Sequence, residues 1–277
     1  MPPIWLVDNL FDESLYPDNI LTATEAADGF PAFRVADGRR DETYWTGTTT
    51  NTEQRLTLQG GTSRPATMVV IDRGHNLGGK TVHVEYSDNG SSWTTHVTVT
   101  IPTTVGGLLS DTNGCLTAEG AWAKTFSSQN RLWWRLRIPA MGAGLIPQVT
   151  GLQIGLSFQQ TRGLPFPYSD SENNLFRREV ESAAGRIGRS YSYKRRKGTS
   201  VVRSDSDAEY ANTFGPQLEQ VFRDKSAPAW LVLDPATPSK NLINVLSANA
   251  DWSFAVDYDA WPFPSASIPW IENAPAA

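Results

Sequence analysis

The sequence is poor in the residues that build small stapled domains and metal centres: 277 residues contain one cysteine, Cys115, and three histidines. A single cysteine excludes an intramolecular disulfide framework and any cysteine-based zinc cluster, so cohesion must come from packing. Positive charge is in deficit. Against 29 Asp plus Glu stand 24 Lys plus Arg, a formal charge of −5 that argues against a general nucleic-acid binder, whose face must be basic. No uninterrupted apolar run approaches the roughly 20 residues of a membrane span. The opening Met1–Asp8 has neither the basic nor the apolar region of a secretory signal, and Pro2 stands where myristoylation needs glycine, so neither export nor a lipid anchor is expected. Gly-x-Ser-x-Gly, Walker and His-Glu-x-x-His motifs are missing too. The chain is therefore read as non-enzymatic, with no cofactor and no metal. What it does have is turn formers and large anchors, 22 Gly, 18 Pro and 10 Trp, a composition that suits an all-β chain.

From about Leu56 to Phe158 the dominant period is two, the mark of strands with one buried and one solvated face. Val82, Val84 and Tyr86 share one face while Thr81, His83 and Glu85 share the other. Asp88-Asn-Gly90 then supplies a turn, and the chain returns through Trp93 into the alternating segment His96–Ile101, which together predicts a β-hairpin. Leu132, Trp134, Leu136 and Ile138 alternate with Trp133, Arg135 and Arg137, and a second such strand follows over Leu152–Phe158. Met68–Ile71 is continuously apolar, which predicts a strand covered on both faces. The prolines of Thr161–Tyr168 close this block and place a domain boundary near residue 160, giving modules of 1–160 and 161–277. In the second module, strands are expected at Ser190–Tyr193, Trp230–Leu233 and Trp252–Tyr258, with one helix from Pro216 to Lys225. The tail from Trp261 to Pro275 is expected to be extended and to dock over a neighbouring surface through Trp261 and Trp270.

Several segments of the first module resemble the discoidin-like, or coagulation-factor 5/8 type C, galactose-binding-like family. They are Ala36-Asp-Gly38 followed by Tyr44-Trp45, then Leu56-Thr-Leu58, the Val82–Trp93 hairpin and the arginine-rich Arg131–Ile138. The resemblance implies a jelly-roll β-sandwich, which the period-two pattern also suggests. The second module, through Gly188–Gly198 and Pro228–Leu233, is similar to β-domains of tailed-phage tail and baseplate proteins. That likeness implies a structural tail-tip protein of distal-tail or minor-tail type, although such proteins generally carry the tube-like domain first, whereas here the sandwich leads. The expected fold is thus mainly β: an N-terminal galactose-binding-like sandwich and a β-rich second domain with one short helix.

Loops at sandwich ends concentrate binding residues, so Arg39, Arg40, Tyr44 and His75 are the candidates for a ligand-binding rim, with Trp45 and Trp93 read as shaping the sandwich. His83 and His96 fall on polar strand faces and read as solvated. The run Lys194, Arg195, Arg196 and Lys197 can be a phosphate-contacting arm, a charged hairpin or a subunit contact against an acidic neighbour, the last two being favoured. Trp261 and Trp270 join it as candidate subunit contacts. The expected role is a virion structural protein, located in the tail tip or baseplate. Its expected partners are other tail proteins in a homo-oligomeric ring, with a host-surface glycan as a further candidate, and with neither nucleic acid nor membrane insertion. The alternative is a free carbohydrate-binding module or an accessory of a carbohydrate-active enzyme. A glycosidase using Asp257 with Asp259, or Asp205 with Asp207, is a third reading.

Overall fold

The structure, a computed structural model, describes residues 3–12, 15–37, 43–159, 170–181, 187–203, 228–247 and 265–272. It is mainly β, with strands β1 (Ile4–Leu6), β2 (Ile20–Ala23), β3 (Trp45–Thr46), β4 (Gln54–Ile71), β5 (Thr81–Ser87), β6 (Thr94–Thr100), β7 (Cys115–Leu116) and β8 (Trp122–Ile138) in the first half. After these come β9 (Gln148–Val149), β10 (Leu152–Gly155), β11 (Ser157–Gln159), β12 (Asp170–Glu181), β13 (Ile187–Arg203), β14 (Ala229–Val232), the four-residue helix α1 (Pro238–Asn241), β15 (Leu242–Ser247) and β16 (Ser265–Glu272). The helix expected from Pro216 to Lys225 and the strand expected at Trp252–Tyr258 lie outside the described residues.

The first sheet runs β10-β4-β8-β5-β6, with β2 and β7 pairing β4 and β8 off that path. Its long strands β4 and β8 each serve two neighbourhoods, separated by register shifts after Gln59 and after Ala66. In one, Leu56, Leu58, Val82, Val84, Trp134, Leu136 and Ile138 turn inward and meet Trp45 and Val149 from the two-stranded sheet β3-β9 across a common core. These are the apolar positions of the period-two pattern, and they make the first part of the chain a β-sandwich. In the other, the run Met68–Ile71 is buried on both faces, as its composition predicts. Val69 and Ile71 enter the main core, while Met68 and Val70 pack with Leu6, Trp230, Val232 and Leu242.

That second cluster belongs to a sheet ordered β11-β1-β14-β15-β16-β13-β12. The boundary expected near 160 does not separate hydrogen-bonded units. Trp5 pairs Phe158 on one side and Leu231 on the other, so strands from both ends of the chain share one ladder. The tail is not a strap laid over a surface. Its Ser265–Glu272 segment is an interior strand between β15 and β13, with Pro269 opposite Thr199 just before the β15 pairing begins at Trp270. A proline is tolerated there because only one neighbour needs its backbone. β13 takes β16 along Lys197–Arg203, whereas its Ile187–Arg195 half has only β12 beside it among the described residues, forming a two-stranded ribbon.

Candidate functional site

The side of the first sheet facing away from the core carries a groove of about 520 Å³ over β2, β4, β8 and the β5–β6 turn, lined by Thr22, Thr24, Arg55, Thr57, Ser91, Trp93 and Arg135 among others. Register places these residues together: Thr22 stands opposite Thr57, Thr57 opposite Arg135, and Arg135 opposite Glu85. The turn is fixed by its own side chains. Ser87 Oγ accepts the Asn89 and Gly90 amides at 3.2 and 3.0 Å, and Asn89 Oδ1 accepts those of Ser91 and Ser92, each at 2.9 Å. Gly90 takes φ +70°, and a Cβ there would meet the Trp133 ring at 2.9 Å. The Trp93 indole N–H donates to Gly90 O at 3.1 Å, so its polar atom is satisfied locally and the half-exposed ring enters the groove as apolar surface.

Beside the groove lies an ionic network. Glu85 accepts Arg135 Nε at 2.6 Å, Arg137 Nε at 2.8 Å and Thr95 Oγ1 at 2.8 Å, and Glu53 accepts Arg137 Nη1 at 3.0 Å and Arg55 Nε at 2.7 Å. Burial alone would raise the Glu85 carboxyl, but the hydrogen bonds from Arg137, Thr95 and Arg135 outweigh it and hold the group below the ordinary glutamate range. Glu53 behaves the same way, its burial outweighed by Arg55 and Arg137. His83, on the same face, is pushed below the usual histidine range by burial and by Arg137, which keeps it neutral at pH 7. The Arg135 guanidinium lies 3.9 Å from the centre of the Trp93 ring. Such a cation–π contact contributes about 0.5–2 kcal/mol and fixes the ring's orientation. The network has three guanidinia and two carboxylates.

The expected rim residues stand elsewhere. Arg39 and Arg40 lie outside the described residues. Tyr44 is half-buried and stacked on Phe30 at 4.5 Å between centroids. His75 is turned inward: its Nδ1 accepts the Leu77 amide at 3.1 Å, and burial pushes its pKa down against the opposing pull of Asp72. Trp45 is fully buried with its indole N–H on Glu25 O at 2.8 Å, the shaping role expected of it. His83 donates or accepts at Thr98 Oγ1 on the polar face, as expected. His96 does not stay there. The register shift between Val84 and Glu85 turns it toward Phe126 and Tyr86, with ring centroids at 5.2 and 5.6 Å. Lys194 and Arg195 stand in the β12–β13 ribbon opposite Leu175 and Asn174, with Lys197 at its base opposite Ser171 and Ile271. Arg196 lies between them on β13. Trp261 is outside the described residues. Trp270 is 1% exposed in the chain's own core, where its side chain is spent on internal packing rather than open to a neighbour.

The groove residues missed by the sequence reading are Thr22, Thr24, Arg55, Thr57, Ser91 and Arg135, and Trp93, read there as shaping the sandwich, lines the groove as well. Their signal was the polar half of the alternation, Arg55 and Thr57 on β4 with Arg135 and Arg137 on β8, beside an aromatic that directly follows an Asx-type turn.

No family model matches the chain, and no curated protein does. Among solved structures, it is similar to chitosan-binding module 1 of a chitosanase/glucanase from Paenibacillus sp. IK-5, at 18% identity over 53% of this chain and 98% of that one, with a TM-score of 0.40. It is similar as well to the family 32 carbohydrate-binding module of Clostridium perfringens NanJ solved with galactose, at 17% identity over 51% of this chain and 95% of the other, TM-score 0.39. A third likeness is to a C. perfringens module, CBM32-5, solved with GalNAc-β-1,3-galactose: 15% identity, 50% and 96% coverage, TM-score 0.39.

Proposed function

We propose that this chain is a non-catalytic carbohydrate-binding protein whose binding surface is the Trp93 groove. The observation that carries this reading is the pairing, in one groove, of an indole ring fixed by Gly90 and Arg135 with the polar side chains of Thr22, Thr24, Arg55, Thr57 and Ser91. A flat apolar ring packs against the C–H face of a pyranose while hydroxyl and guanidinium groups bond its oxygens, the mixture of apolar lining and few placed polar groups that ligand sites use. Glycoside hydrolysis needs a carboxylic acid whose pKa is raised so that it stays protonated. Glu53 and Glu85, the carboxylates of the ionic network beside the groove, are both held below the ordinary glutamate range by arginines, the opposite of what a general acid needs. The test is retardation of the full chain in native gels cast with polysaccharides, set against Trp93→Ala. Retardation by at least one polysaccharide that falls about tenfold or more in the variant supports the reading; a Trp93→Ala chain retarded like the parent contradicts it.

A second reading, a structural component of a phage tail tip located in the virion, is favoured by the β12–β13 ribbon. Isolated two-stranded hairpins are marginal in water, and a basic ribbon of this length gains from a partner subunit with an acidic face. Size-exclusion chromatography and electron microscopy test it: a ring that dissolves when Lys194, Arg195, Arg196 and Lys197 become serine supports assembly, and a monomer at high concentration opposes it.

A further inference from the structure

We infer that the Trp93 groove selects acidic sugars, a pyranose bearing a ring carboxylate, over neutral ones; this rests on the carbohydrate reading of the same groove. Among the described residues that line it, two are arginines and none is a carboxylate. The two carboxylates beside it are already engaged, and although each guanidinium has a carboxylate partner, three guanidinia against two carboxylates leave the network with a net charge of +1. On a chain of formal charge −5 that local excess is a distinct feature. His83 is neutral near pH 7 and does not alter the balance.

The geometry supplies donors as well as charge. Arg135 gives only its Nε to Glu85, and its terminal nitrogens make no hydrogen bond among the described residues and are not among the buried unpartnered atoms. Arg55 points both Nε and Nη2 at one oxygen of Glu53, and its side chain, which lines the groove, is 46% exposed, with no hydrogen bond from Nη1 among the described residues. A guanidinium stacked over the aromatic ring, Arg135 with its side chain 10% exposed, and a second, exposed one at the groove wall suit a ligand with one apolar ring face and a carboxylate at its edge, because charge-assisted N–H···O⁻ bonds are roughly twice as strong as neutral ones. A neutral hexose would use the same platform but leave the excess charge uncompensated.

The experiment is a binding comparison of the full chain with polygalacturonate, alginate and hyaluronan against galactan and fully methyl-esterified polygalacturonate, at two ionic strengths. Arg55→Gln is the variant, since Arg55 is at the surface and its loss leaves Glu53 bonded to Arg137. The expected result is at least tenfold tighter binding of one or more acidic polymers than of the neutral ones, weakened by salt, with that preference cut severalfold in Arg55→Gln while thermal unfolding is unchanged. Equal or tighter binding of galactan or of the methyl ester overturns the acidic preference and leaves the carbohydrate reading standing. Absence of binding to all five polymers overturns both.

Discussion

Asp8 shows most plainly how one residue can cost stability for position. It accepts a short hydrogen bond from the Tyr16 hydroxyl, and the Arg64 guanidinium covers that tyrosine's ring at 4.0 Å from its centre. Burial raises the Asp8 pKa more than the Tyr16 bond and Arg64 lower it. A raised folded-state pKa contributes stability that is fully present below the unfolded value and is lost as pH rises through the folded one. At neutral pH the ionised carboxylate therefore works against folding. Asp8→Asn keeps an oxygen for Tyr16 and removes the charge. It is expected to raise Tm at pH 7, with the gain vanishing below about pH 4, near the ordinary aspartate pKa. A variant less stable than the parent at pH 7 in thermal melts would show that the charge itself is needed there. None of this was legible in the sequence, because Asp8, Tyr16 and Arg64 meet only through the path of the folded chain.

Strand identity was legible wherever one face was apolar. Val82 and Val84, and Trp134, Leu136 and Ile138, are buried as their alternation requires, and the doubly apolar Met68–Ile71 is covered on both sides. What alternation could not locate was a shift in register, and one such shift carries His96 off its expected face. Nor could it reveal where backbone meets backbone. At the end of β10, the Leu10 amide donates to Ile154 O at 2.9 Å, and a Cβ on Gly155 would collide with the Asp8 carbonyl. Only glycine lets the incoming N-terminal segment cross there. Gly155→Ala is expected to cost about 3 kcal/mol or more, the upper range for forcing extra volume into a packed site. Urea unfolding measures it, and a loss under about 1 kcal/mol would mean that the two segments can separate without penalty.

The whole molecule departs furthest from what proline content and composition suggest. The Pro-rich stretch 161–168 marks a change of module in the sequence, yet β1 is zipped between β11 and β14, and Met68 and Val70 are covered by Trp230, Val232 and Leu242. Long-range pairing leaves no local trace, since a three-residue strand such as Ile4–Leu6 has no period to read. A fragment of residues 1–159 is therefore expected to expose that apolar face, bind a hydrophobic dye and aggregate; a sharp two-state melt with near-ultraviolet dichroism equal to the parent's would show instead that the first part is self-sufficient. The groove is insulated from this dependence, for it is built on β2, β5 and the halves of β4 and β8 remote from Met68–Ile71. The most direct test of its role is hydrogen–deuterium exchange of the full chain with and without a saturating oligosaccharide from whichever polymer is retained. The account predicts slowed exchange at Thr22–Thr24 and Ser91–Thr95, with loops 43–49 and 72–80 unchanged. Protection confined to those loops, with the groove segments unchanged, would contradict it.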